Sequence, residues 1–230
     1  MRKTVREVDE PDRLGLFSLS DLSAKSYYYI KANGFGAYLK KVLLSTVELF
    51  VKHQKAVLFE NDLLKVSGFV YPKLEVEIRM VTHNDIAKLR RLLPQWSERV
   101  FRHRVWWGDI LFIAETNNRI IHQVWFSFKD KYAPLLNREI ALKREEAYGY
   151  HVYTDPKFRC KNIAAATRSK ALRYLKTQGF RRCFFLVDLN TDQLARGAVK
   201  IFGTNRGTII SYWRILGFRN YRYQPYRGVK

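Results

Sequence analysis

The stretch EAYGYHVYTDPKFRCKNIAAATRSKALRYLKTQGFRRCFFLVDLN, residues 146–190, limits what this chain can fold into more than any other. Its first eight residues are rich in aromatic and β-branched types and read as a strand. A basic turn follows. From about Ile163 to Gln178 the apolar residues recur at helical spacing, Gly179 supplies a stop, and RRCFFLVDLN reads as a second strand. Two strands joined through a helix lie parallel in one sheet, because the crossover must return to the same edge. The chain is therefore neither all-helical nor purely antiparallel.

Upstream, KLEVEIRM alternates apolar and charged residues as a half-buried strand, and VTHNDIAKLRRLL opens a helix, with Thr82 as capping residue and Asp85 three positions on. A second helix is expected over Pro94–His103. DILFIAE and RIIHQVWFSF flank TNN, the composition of a hairpin turn, while APLLNREIALKRE is ambiguous between loop and helix. The order strand, helix, helix, hairpin, strand, helix, strand describes an α+β domain: a mixed central sheet flanked by helices. Before it, FGAYLKKVLLSTVELFVKHQK has the spacing of an amphipathic helix and AVLFEND that of a short strand. Gly68 and Pro72 place the boundary near residue 72, so residues 1–72 form an N-terminal extension and 73–230 the main domain.

The turn between the Glu146 strand and the Ile163 helix has two readings. A helix start presents unpaired backbone N–H groups and the positive end of the helix dipole, which together suit an anion. Ala164, Ala165 and Ala166 are small, Asn162 tolerates positive φ, and Arg159 and Lys161 add positive charge. The other reading is an ordinary connection whose alanines pack on the sheet. Net charge points outward as well: the chain carries +21, and from Pro156 onward its carboxylates are Asp188 and Asp192. Such a field attracts polyanions without choosing among nucleic acid, acidic protein, anionic lipid and nucleotide. Cys160 and Cys183 fit no paired zinc spacing and the five histidines are scattered, so no metal is expected. No run reaches the roughly 18 apolar residues of a membrane span, and the basic start is followed by acidic residues, not an apolar signal; the expectation is a cytoplasmic protein.

DPKFRCKNIA resembles the pyrophosphate-binding segment of the GNAT superfamily of N-acetyltransferases, whose pattern is Arg or Gln, two residues, Gly, one residue, Gly or Ala. Arg159, Asn162 and Ala164 hold those places, with asparagine where the family has glycine. NRGTIISYWRILGF is similar to the family's closing Asn, aromatic, Gly-Phe signature, and the resemblance covers roughly Leu74–Tyr221. It implies acetyl-CoA or a longer acyl-CoA as cosubstrate, bound where two parallel strands splay, and direct acyl transfer to an amine. Main-chain groups of Val152, Tyr153 and Thr154 would meet the pantetheine arm. Arg159, Cys160, Lys161, Asn162, Ile163 and Ala164 would hold the pyrophosphate, with Asn205 also on the cofactor.

An amine must lose a proton before it attacks. On a regular strand Glu146, Tyr148, Tyr150 and Val152 share one face. The resemblance makes Glu146 the base and Tyr148 and Tyr150 the walls of the acceptor pocket; a bulge would reverse the parity and bring His151 forward. The family's tyrosine acid corresponds to Trp213, which leaves the adjacent Tyr212 for that role. Acceptors in play are a small amine, a peptide or a protein lysine. Two alternatives remain: a longer-chain transferase taking its acyl group from an acidic carrier protein, and a nucleic-acid-binding protein using the arginines and tyrosines of FRNYRYQPYRG.

Overall fold

In the computed structural model the described residues are 34–37, 39, 51–66, 68–82, 85–92, 98–189 and 207–226. Their strands are β1 (Val51–Asp62), β2 (Glu77–Met80), β3 (Ile110–Thr116), β4 (Arg119–Ser127), β5 (Lys131–Ala133), β6 (Arg138–Ile140), β7 (Glu146–Thr154), β8 (Arg182–Asp188), β9 (Gly207–Ile215) and β10 (Phe218–Pro225). Their helices are α1 (Ile86–Leu92), α2 (Glu98–Trp106) and α3 (Ile163–Thr177). Eight strands form one sheet in the order β10-β9-β1-β8-β7-β4-β3-β2, and β5 and β6 form a separate hairpin. β7 and β8 run parallel, joined by α3 as the sequence requires. The chain divides into two compact units, His53–Trp213 with Arg219–Lys230, and Met1–Lys52 with Arg214–Phe218.

The alternation of strand residues sorts the core. Trp125, Tyr148 and Tyr150 pack with Leu89 and Leu92 of α1 and Phe101 of α2. Val124, Phe126, Ala147 and Phe185 pack with Ala171, Leu172 and Leu175 of α3. Neighbours such as Tyr148 and Ala147 point to opposite sides of the strand, so α1 and α2 cover one face and α3 the other. Each fully buried leucine on α3 is worth about 1.5–3 kcal/mol. That burial, more than propensity, holds the helix in place.

Local signals mark the helix ends, with Asp85 in place of Thr82 as the accepting side chain ahead of α1. Asp85 accepts hydrogen bonds from the backbone N–H and the hydroxyl of Thr82, at 2.7 and 2.9 Å, ahead of α1. Gly179 follows α3 with φ 87°, a left-handed position that ends the helix without a Cβ clash.

Several expectations are corrected. The boundary near Pro72 gives way: AVLFEND belongs to a twelve-residue strand paired with β8 from Ala56↔Asp188 to Asp62↔Arg182. Its alternating burial could be satisfied only by long-range pairing, which composition does not report. The helix expected over Phe35–Lys55 lies mostly outside the described residues; of those described, 35–37 and 39 are helical as expected, and its last five positions are strand. α2 reaches Trp106 instead of ending at His103, and residues 93–97 lie outside the described set. The ambiguous APLLNREIALKRE is mostly turn and loop, not helix, with Ala133 and residues 138–140 in strands. It contributes to the β5–β6 hairpin, whose turn places Asn137 at φ 49° and buries Leu136 against Tyr212.

Candidate functional site

β7 and β8 are paired over four residues only, from Glu146↔Arg182 to Gly149↔Phe185. Beyond that point β8 continues beside β1 to Asp188, whereas β7 follows β4 through a bulge. Trp125 faces Tyr150 and Gln123 faces Tyr153, so His151 and Val152 stand opposite Val124 alone, with His151 at φ 48°. Such an extra residue bends a strand and breaks its ladder. The parallel strands therefore part after Gly149, at the end where β7 feeds the loop to α3.

That loop begins with Asp155, whose N–H donates to Ile121 O at 2.9 Å and whose carboxylate accepts from Lys157 N at 3.0 Å and Arg119 Nη2 at 2.5 Å. Asp155 is thereby engaged with Arg119 and the turn Pro156–Phe158. Arg159 Nε donates to Thr154 O at 3.3 Å. Cys160 and Asn162 both adopt positive φ, 61° and 60°, and Asn162 is the N-cap of α3 without a side-chain cap hydrogen bond. The helix's own ladder starts with Ala166 N donating to Asn162 O at 2.9 Å. The N–H groups of Ile163, Ala164 and Ala165 precede it and have no acceptor within the helix. Left-handed residues alternating with ordinary ones turn successive N–H groups to one side, a concave anion nest. Ala164 is half-buried beside it, while Ala165 and Ala166 pack inward.

Behind the loop, Thr154 Oγ1 lies 2.7 Å from His122 Nδ1. His122 is fully buried, and burial pushes its imidazole down to about 3, so the ring is neutral.

On the α1–α2 face, the Tyr150 hydroxyl donates to Asp109 Oδ2 at 2.5 Å, and Lys131 Nζ reaches the same oxygen at 3.2 Å. Lys131 Nζ and Arg104 Cζ lie 4.9 and 5.1 Å from the Tyr150 ring centroid, and Tyr148 stacks parallel to it at 6.1 Å. Burial holds the Tyr148 phenol well above its ordinary value. His151 Nδ1 is 3.2 Å from Arg104 Nη1, so the bulge does bring this imidazole onto the Tyr150 side. Asp109, Lys131 and Arg104 are all buried and were not legible in the sequence, since they come from three different elements.

Tyr148, Tyr150 and the loop residues gather at the splay; other expected residues do not. The bulge hands the place expected for Val152 to Tyr153, which packs on the Tyr150 cluster, while Val152 is exposed. Glu146 starts β7, eight residues before Thr154 and about 26 Å away along an extended strand. Its carboxylate is buried, paired with Arg182 Nη2 and accepting from Lys143 N at 2.9 Å. Tyr212 is fully buried in β9, accepts from Asn137 Nδ2 at 3.1 Å and stacks on Tyr221. The described part of the stretch that resembles the closing signature runs through β9 into the start of β10, with its Leu-Gly pair between them. Asn205 lies outside the described residues. Among the described residues there is no group of three potential metal ligands, and no helix is long and apolar enough to cross a membrane.

The family model for the acetyltransferase (GNAT) family matches residues 82–203. No curated protein sequence matches the chain. A functionally unknown conserved protein from Staphylococcus epidermidis is similar at 13% identity and TM-score 0.45, over 82% of this chain and 64% of that one. A putative acetyltransferase of the GNAT family from Novosphingobium aromaticivorans is similar at 14% identity and TM-score 0.46, over 75% and 61%. A predicted acetyltransferase from Clostridium acetobutylicum, solved with acetyl-CoA, is similar at 20% and TM-score 0.40, over 56% and 90%. The chain thus spans less than two thirds of the length of the first two.

Proposed function

Because the chain belongs to the acetyltransferase (GNAT) family, we propose that it is an acyl-CoA-dependent N-acyltransferase, moving an acetyl or longer acyl group to a primary amine by direct attack in a ternary complex. The observation that carries this reading is the parting of β7 and β8 after Gly149, directly before an amide-lined loop. Main-chain groups of Val152, Tyr153 and Thr154 lie beyond the pairing with β8, on the edge where a pantetheine arm would run, with Thr154 O also accepting from Arg159 Nε. The amides of residues 160–164, with Arg159 and Lys161, take the pyrophosphate.

The acceptor enters on the Tyr148–Tyr150 side. Here Tyr150 and Asp109 take the proton-handling role that sequence gave to Glu146. The amine donates a hydrogen bond to the Tyr150 oxygen, whose own proton already points at Asp109. As the nitrogen attacks the thioester carbonyl, its proton passes to Tyr150 and that of Tyr150 to the carboxylate. The C–N bond forms, the C–S bond breaks, and the thiolate of CoA is the leaving group, taking its proton from solvent. Lys131 Nζ pairs with the same Asp109 oxygen at 3.2 Å and so helps to hold the carboxylate in place beside Tyr150.

The basic surface also fits an acidic carrier protein as donor, and aromatic richness fits a long acyl chain. Incubation with acetyl-CoA and a panel of amines, following free thiol, tests the reaction. Thiol release that requires an amine is expected, and none with any amine or chain length would sink the proposal. A parallel series of acyl chain lengths separates acetyl from longer-chain transfer.

A further inference from the structure

Between β1 and β2 the chain runs along α3 as a strap fastened at both ends. Ser169 Oγ donates to Gly68 O at 3.1 Å and accepts from Val70 N at 3.3 Å, and Lys73 N donates to Lys161 O at 2.9 Å. The last bond ties the strap to the loop ahead of α3. Just before that anchor, Tyr71 is 76% exposed, one of a few strongly exposed aromatics among the described residues, with Trp106 and Phe218. Phe69 meets it edge to face at 5.0 Å, which limits the orientations the ring can take. Lys73 is exposed at the anchor itself, two residues and about 7 Å of extended chain from Tyr71. Held near the loop ahead of α3 is therefore an exposed π face, with Lys73 two residues on and bonded through its backbone to Lys161 of that loop.

Pyrophosphate binding alone gives that aromatic pair no purpose. A purine has a face to stack on tyrosine, and a further phosphate beyond the pyrophosphate would meet Lys73. We infer that the 68–73 strap binds the adenosine 3′-phosphate end of the donor, with the purine on Tyr71 and the phosphate at Lys73. The inference rests on the acyl-CoA reading above and narrows it. A carrier protein presents phosphopantetheine on a serine, with no nucleobase, and would leave the strap unused. The donor is accordingly the free nucleotide thioester.

The test is calorimetric binding of CoA, 3′-dephospho-CoA and free 4′-phosphopantetheine to the full chain. CoA should bind at least about tenfold more tightly than phosphopantetheine. Tyr71→Ala should weaken CoA at least about fivefold and leave phosphopantetheine unchanged, while Tyr71→Trp, which keeps a stacking face, should restore CoA binding. Lys73→Ala retains the backbone anchor and should remove the preference for CoA over 3′-dephospho-CoA. Equal wild-type affinity for CoA and phosphopantetheine, or a CoA to phosphopantetheine ratio indifferent to Tyr71, overturns the strap assignment while the transferase reading stands. Failure of the wild type to bind either compound overturns both.

Discussion

Gly149 and Phe185 are the last partners to join β7 to β8, and the Phe185 ring occupies the space that a side chain at 149 would need. A Cβ there would lie 2.1 Å from the ring edge. Phe185 is itself packed edge to face on Phe126 and has nowhere to retreat. The splay thus begins where a bare backbone lets an aromatic ring cross over the strand. Gly149→Ala should cost about 1–3 kcal/mol through overpacking. Urea denaturation checks this, and pairing it with Phe185→Leu should recover part of the loss. Two additive effects would show that the contact is not shared.

Arg159 reaches back to Thr154 O and carries its charge to the loop. Arg159→Glu sets an anion beside the proposed pyrophosphate position and should weaken CoA binding by at least about tenfold. Titration calorimetry at two salt concentrations reads it. Unchanged affinity at low salt would place the pyrophosphate elsewhere.

Glu146 is engaged with Arg182 and Lys143 N, at the end of β7 remote from the loop to α3. Glu146→Gln should lower stability by about 1–3 kcal/mol, because it leaves a partner of a buried carboxylate uncompensated. Turnover per folded molecule should stay near the wild-type value. A loss of kcat with unchanged melting temperature would return this residue to the chemistry.

Tyr150→Phe keeps the ring between Arg104 and Lys131 and removes only the hydroxyl that donates to Asp109. On the proposed mechanism kcat falls by about 100-fold or more while CoA affinity holds. Stopped-flow thiol release and calorimetry together separate the two. Full activity in the phenylalanine variant would exclude the relay.

His122 makes stability depend on pH. Its folded value of about 3 lies below the ordinary 6.5, so the unfolded chain takes the proton first. The contribution is complete above pH 6.5 and drains as pH falls toward 3, at up to about 1.4 kcal/mol per unit. Asp85, held below the carboxylate range by its hydrogen bonds to Arg79, and Glu115, held down by Lys88 and Arg79, act only at lower pH. Urea midpoints between pH 7.5 and 5 therefore isolate the histidine. His122→Gln should flatten that part of the profile, and an unchanged slope would assign it to another group.

Residue order by itself determined the elements and the turn. The β7–α3–β8 unit, the Thr82–Asp85 hydrogen bonds ahead of α1 and the positive φ of Asn162 follow from periodicity, capping and side-chain shape, all of which act over a few residues. Tertiary structure decided everything that needed a distant partner. β1 joined the central sheet by pairing with β8, and the bulge at His151 arose from its register against β4. Arg182 drew Glu146 into an ion pair, β9 buried Tyr212, and Asp109 came to Tyr150 from the connection between α2 and β3. The reason is that a pattern along the chain fixes which way a side chain points, while its neighbour is chosen by the free energy of packing and charge across the whole fold.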